Sequence, residues 1–79
     1  MINIKVLGSG CANCKRLEQI TRMVVENLGI EAEIEKVTDI KEIMKYPILS
    51  TPGLVINEKV VSSGRIPTET QITDWLTQA

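Results

Sequence analysis

There is no histidine among the 79 residues. Its absence removes the commonest general base, the histidine-activated cysteine nucleophile and every metal site that needs an imidazole. Charge of one sign is also lacking: nine Lys and Arg against ten Asp and Glu leave a formal net charge of −1, which gives no electrostatic footing for nucleic acid. No apolar run approaches the roughly 18 residues of a membrane span. Met1-Ile2-Asn3-Ile4-Lys5-Val6-Leu7 has neither a basic leader region nor a cleavage site, so a cytoplasmic location away from membranes is the expectation. Repeats, linkers and low-complexity segments are missing too. The chain is therefore expected to form one domain, residues 1–79, of a size that buries only about 60% of its unfolded surface.

Cysteine is scarce, at two residues, but both fall in one stretch, Gly8-Ser9-Gly10-Cys11-Ala12-Asn13-Cys14. This glycine-rich turn follows a hydrophobic segment and leads into a helical pattern. Two thiols two residues apart, on the first turn of a helix, can reach each other and solvent, which is the geometry of a reversible disulfide. As a staple the pair is poor: a four-residue loop gives at most about 2 kcal/mol on the chain-entropy model, against about 3 for 15 residues. Nucleophilic chemistry needs the thiolate, and a cysteine with a pKa near ~8.5 is only about 3% ionised at pH 7. The unpaired N–H groups and positive dipole end of a helix could bring that pKa to about 7 and the ionised fraction to about half. Other readings of the same pair are a chance spacing, or half of a zinc or copper site. Two thiolates suit Cu(I), whereas structural zinc needs four ligands and so a dimer.

In chain order, Ile2, Ile4 and Val6 alternate with Asn3 and Lys5 and predict a strand over 2–7 that stops at Gly8. A helix over about 12–28 follows from Leu17, Ile20, Val24 and Leu28 at helical spacing, with Gly29 at the C-cap position. Met23 and Val25 widen its apolar face, Met23 as a core filler. Ile30, Ala32 and Ile34 alternate with Glu31, Glu33 and Glu35, with Val37 near the end. This predicts a second strand, parallel to the first because a helix connects them. Asp39-Ile40-Lys41-Glu42 matches a capping box and opens a short helix that carries Ile40, Ile43 and Met44 inward and ends near Tyr46-Pro47. Tyr46 and Trp75 are expected to pack. Leu54-Val55-Ile56 and Lys59-Val60-Val61-Ser62, joined at Asn57-Glu58, form a hairpin. Thr68 with Gln71 caps a last helix whose inner face carries Ile72, Trp75 and Leu76.

The resulting order is βαβαββα, an α/β fold with a four-stranded mixed sheet. Gly10-Cys11-Ala12-Asn13-Cys14 after the first strand, Thr51-Pro52-Gly53 before the third and Ser63-Gly64 after the fourth together resemble the thioredoxin fold. The resemblance covers essentially the whole chain and is to the small thioredoxin-like or glutaredoxin-like redox-active disulfide proteins. It implies a three-layer sandwich acting as a monomeric thiol–disulfide oxidoreductase or electron carrier. No bound cofactor is implied; the redox group is the Cys11–Cys14 disulfide, with Gly10, Ala12 and Asn13 shaping its loop. Cys11 would be the exposed nucleophile and Cys14 the resolving thiol. Pro52 would be cis, placing the Thr51 backbone where an extended substrate can pair with it, and Gly64 would let that substrate approach.

The implied partners are a disulfide-containing protein and a thioredoxin-reductase-like or other flavin- or ferredoxin-linked reductase. Arg65 and Ile66 stand where glutaredoxins use glycine and acidic residues to hold glutathione, so glutathione is not the expected partner. The first strand has no aspartate to serve as the buried proton acceptor of thioredoxins. Lys15 and Arg16 oppose the helix dipole, and Lys15 is a candidate for holding the Cys11 thiolate. The alternative from another class is a Cu(I) carrier, because the cysteine loop is similar to that of small copper chaperones. Those have a βαββαβ order and a methionine ahead of the first cysteine, where this chain has Ser9 and Gly10.

Overall fold

In the computed structural model, which describes residues 2–8, 10, 12–48 and 50–78, the apolar alternation of the N-terminal segment becomes the inner strand β1 (Ile2–Leu7). Then come α1 (Ala12–Leu28), β2 (Ala32–Val37), α2 (Ile40–Ile43), β3 (Gly53–Ile56), β4 (Lys59–Ser63) and α3 (Glu69–Gln78). The sheet order is β2-β1-β3-β4. β1 pairs parallel with β2 and antiparallel with β3, and β3 pairs antiparallel with β4. The parallel ladder continues past Leu7, where the Gly8 N–H donates to the Val37 carbonyl at 2.9 Å.

Because side chains alternate across a strand, the sheet feeds two cores. Ile4 and Val6 of β1 with Leu54 and Ile56 of β3 face α1 and α3 and meet Leu17, Val24, Ile72 and Leu76. Leu7 and Val55 face the other way and meet Ile43, with Val37, Tyr46, Ile48 and Val60 around them. The result is the three-layer sandwich implied by the resemblance, α1 and α3 on one face and α2 on the other.

Helix ends obey their local signals in two cases out of three. Gly29 adopts φ +64° and its N–H donates to the Val25 and Glu26 carbonyls, both at 3.1 Å. At α3 the capping box is complete: the Gln71 N–H donates to Thr68 Oγ1 at 3.2 Å and the Thr68 N–H to Gln71 Oε1 at 3.0 Å. At α2 only half a box forms. Asp39 accepts from the Lys41 N–H at 2.9 Å, but Glu42 binds Lys45 at 3.1 Å instead of reaching back.

Several packing expectations are corrected. Ile40 and Met44 do not point inward; they are 65% and 76% exposed, because α2 has a single turn and only Ile43 reaches the sheet. Met23 is exposed rather than a core filler; the inner stripe of α1 runs through Cys14, Leu17, Thr21 and Val24. Thr21 is fully buried there, its hydroxyl satisfied by donating to the Leu17 carbonyl at 2.8 Å. Ile30 packs on the core from just outside β2, which begins at Ala32.

The β3–β4 turn shows why Asn-Glu serves where Asn-Gly would be the stronger signal. Asn57 and Glu58 both have positive φ, +49° and +67°, as a type I′ turn requires. Two side-chain anchors hold them there. Asn57 Oδ1 accepts the Asn3 N–H at 3.0 Å. Glu58 accepts from Lys5 at 2.7 Å and from the Tyr46 hydroxyl at 3.2 Å, while Lys5 also donates to the Tyr46 oxygen at 2.9 Å. Tyr46 thus packs on the second core and also carries a polar contact.

The hydrogen bonds to Glu58 and Tyr46, against some desolvation, hold the Lys5 pKa well above the usual lysine range. The hydrogen bond from Lys5, opposed by desolvation, holds Glu58 below the usual carboxylate range. A lowered carboxylate pKa contributes stability above the unfolded value of about 4.3 that is lost as pH falls through the folded value. A raised lysine pKa contributes below about 10.4 and is lost as pH rises through its folded value. Glu58→Gln should therefore lower the melting temperature at neutral pH, and the gap should close in acid. Thermal unfolding of both proteins from about pH 2 to 8 checks this, and a gap independent of pH would refute it.

Candidate functional site

The C-terminal ends of β1, β2 and β4 and the N-terminal end of β3 lie at one end of the sheet, as the pairing registers require. α1 starts at that same end. Gly8, the residue after β1, is buried and stands at the junction of three segments. A side-chain carbon built on it would collide with Cys14 Sγ, would lie 3.1 Å from Cys14 Cβ and would be 3.9 Å from Thr51 Cβ. The Cys14 sulfur therefore rests on the bare backbone at the end of β1, with the Thr51-Pro52 loop beside it.

Cys14 is 5% exposed and disulfide-bonded. The only other cysteine of the sequence, Cys11, lies outside the described residues. Gly10, Ala12, Asn13 and Lys15 are exposed around Cys14. A cavity of about 20 Å³ beneath the start of α1 is bounded by Val6, Gly8, Cys14, Lys15, Lys36 and Thr38, among others.

The Thr51–Pro52 peptide bond is cis, with Thr51 exposed and Pro52 buried. The Pro52 carbonyl accepts the Gly64 N–H at 2.9 Å, which ties this loop to the end of β4. Gly64 has φ +73° and its bare Cα is covered by Ser50 Oγ. A side chain on Gly64 would thus meet the protein's own Ser50. Arg65 follows and is exposed.

The structure brings Cys14, Thr51, Pro52 and Gly64 together from three separate parts of the chain. Gly8 completes the group; the sequence places it at the end of a strand and the start of the glycine-rich turn but does not single it out as a site residue. Its signal was available: a buried cysteine opening a helix straight after a strand needs a residue without a side chain at the strand's end. The second partner missed was Ser50. A groove of about 360 Å³ between the β3–β4 turn and the end of α3 beside Trp75 lies at the opposite end of the sheet and shares none of these residues. Among the described residues there is no cluster of three or more His, Cys, Asp or Glu able to hold a metal, and no helix is long and apolar enough to cross a membrane.

Comparison with known proteins agrees with this fold. A family model described as a thioredoxin domain matches residues 2–77. The chain is 38% identical over 76 residues to a thioredoxin of Methanocaldococcus jannaschii, covering 96% of this chain and 87% of that protein. It is 36% identical over 72 residues to a thioredoxin of Methanothermobacter thermautotrophicus, covering 91% and 94%. Among solved structures, the germline-specific thioredoxin Deadhead of Drosophila melanogaster matches 98% of this chain and 79% of that one, with a TM-score of 0.67. At 17% identity that likeness concerns the fold alone. These relatives do not favour the Cu(I)-carrier alternative. Matched from its first strand to its last helix, the chain belongs to the thioredoxin family of thiol–disulfide oxidoreductases.

Proposed function

We propose that Cys11 and Cys14 are the redox couple through which this protein reduces disulfides in other proteins. The Cys11 thiolate attacks one sulfur of a substrate disulfide, forming a mixed disulfide and releasing the other substrate sulfur as a thiolate, which takes up a proton. The Cys14 thiolate then attacks Cys11 Sγ. This closes the Cys11–Cys14 disulfide and frees the second substrate thiol. A reductase of the thioredoxin-reductase type, or another flavin- or ferredoxin-linked enzyme, returns two electrons and two protons. The reading places this exchange in the reducing cytoplasm, where so closely spaced a pair serves as a couple rather than a staple.

The observation that carries the reading is the convergence at Gly8. The Cys14 sulfur is shielded against the end of β1 while Thr51 stays exposed beside it. A shielded second sulfur suits the resolving role, since it meets its target only within the mixed disulfide. The start of α1 offers the N-terminal N–H groups that stabilise a thiolate. Lys15, exposed one residue after Cys14, would add a positive charge. The Thr51 backbone next to cis-Pro52 offers an extended substrate segment a place to pair.

The test is redox equilibration of the protein against dithiothreitol and glutathione buffers, read by thiol alkylation and mass. One reversible two-electron couple is expected, between about −270 and −200 mV, the span of thioredoxin and glutaredoxins. A Cys14→Ser variant should accumulate a mixed disulfide through Cys11, whereas Cys11→Ser should trap none. Absence of an intramolecular couple would remove the proposal.

A further inference from the structure

Resting on that reading of the site, we infer that its substrates present acidic residues beside the disulfide, drawn by a rim of unpaired cations around Cys14 and the Thr51-Pro52 loop. The distribution of ion pairs points to it. Lys5, Arg22, Lys36 and Lys45 each have a carboxylate partner within 4.0 Å. The other five, Lys15, Arg16, Lys41, Lys59 and Arg65, have none among the described residues, although the chain carries more acidic than basic groups.

Three of them, Lys15, Arg16 and Arg65, belong to the site end, whereas Lys41 lies on α2 and Lys59 at the β3–β4 turn at the far end. Lys15 shares the small cavity with Cys14 and Gly8, and Arg16 is the next residue on α1. Arg65 follows Gly64, whose N–H binds the Pro52 carbonyl. α1 has no acidic residue in its first turn, the place where a carboxylate would favour the helix dipole and a cation opposes it. A local rule broken twice in succession beside the reactive pair is the kind of departure that functional sites show.

Carboxylates do reach this end, but at other helix starts. Asp39 is engaged as the cap of α2, accepting the Lys41 N–H, and Glu69 opens α3. The acidic excess lies elsewhere. Glu26 is near the end of α1, Glu31 lies just before β2 and Glu33 at its beginning, at the far end of the sheet, where they outnumber the one unpaired cation there among the described residues, Lys59. The molecule is thus polarised along the strand direction in spite of its small net charge. Such a field raises the encounter rate and occupancy of a partner of opposite sign and disfavours a basic one.

The experiment uses the fully reduced protein and three disulfide peptides of one sequence, flanked by Glu, Gln or Lys. Single-turnover reduction is followed by acid quench, alkylation and mass. Every rate is divided by that of the same peptide with dithiothreitol, because acidic flanks by themselves repel a thiolate and slow the exchange. The Glu peptide should exceed the Lys peptide by about tenfold near 0.02 M ionic strength and by no more than about twofold near 0.5 M. In the triple variant Lys15→Gln, Arg16→Gln, Arg65→Gln the preference should vanish, with the Gln peptide absorbing any general change in reactivity. Equal normalised rates for the three peptides, a preference for Lys, or a preference that survives the triple variant would overturn the inference and leave the redox reading standing. Failure to reduce any peptide would overturn both.

Discussion

A Gly8→Ala variant is expected to melt at lower temperature and to hold its disulfide less firmly than the wild-type protein. The added carbon falls on Cys14 Sγ and within 3.1 Å of Cys14 Cβ. Neither contact is the far end of a flexible side chain, because the sulfur is tied in a disulfide and Cys14 lies on the buried stripe of α1. Gly8 cannot retreat easily, since its N–H is bound to the Val37 carbonyl.

Overpacking of this kind costs about 1–3 kcal/mol, which in a domain of this size is roughly 5–20 °C in melting temperature. The cost should fall mainly on the oxidised state. A reduced Cys14 can rotate its thiol aside, whereas a bonded sulfur cannot, so the couple should become more oxidising. If the whole cost appeared there it would be about 20–65 mV. Calorimetry of both redox forms and equilibration against dithiothreitol check the two halves separately. An unchanged midpoint with a lowered melting temperature in both forms would show that Gly8 matters for packing but does not position the sulfur.

The second large effect is expected at Leu17, one turn after Cys14 on the inner stripe of α1 and inaccessible to solvent. Leu17→Ala leaves a cavity in the core shared by α1, α3 and the sheet. Such a change costs about 2–5 kcal/mol, a large part of the total stability of roughly 4–12 kcal/mol expected for a chain this long. Urea unfolding should show the loss as a lower midpoint at an unchanged slope. Met23→Ala is the matched control. Met23 is 40% exposed, so its truncation should stay within about 0.5 kcal/mol, although helical spacing alone groups both residues on one apolar face. Equal losses at the two positions would contradict the packing described for α1.

The contrast between Leu17 and Met23 shows where sequence reading stops. Periodicity located α1 to the residue and named Leu17 and Val24 correctly, because a 17-residue helix averages over many turns. It misplaced Met23 at the margin of the stripe, where a few tens of degrees decide between core and solvent. It also misplaced Ile40 and Met44 on α2, since a four-residue helix gives no period to average. The reciprocal cap at Thr68 and Gln71 was legible because it is a purely local exchange of hydrogen bonds. The half-formed box at Asp39 was not, since Lys45 competes for Glu42. The turn at Asn57-Glu58 was placed correctly, but its holdfast, Lys5 with Tyr46, comes from a strand and a helix end far away in the chain.

The sequence by itself determined what depends on near neighbours: the order of elements, the parallel and antiparallel senses that their connections impose, the closely spaced cysteine pair at the head of α1, and the loop signals at Pro52 and Gly64. Tertiary structure alone decided what depends on distant segments meeting. It placed Cys14 on Gly8 next to Thr51, filled the space at Gly64 with Ser50, and brought Arg65 to the same end as Lys15 and Arg16 while carboxylates of other elements neutralised Lys5 and Lys36. The physical reason is range. Backbone hydrogen bonding and side-chain periodicity act over a few residues, so a linear pattern records them, whereas excluded volume and ion pairing act across space between residues that the chain order leaves tens of positions apart.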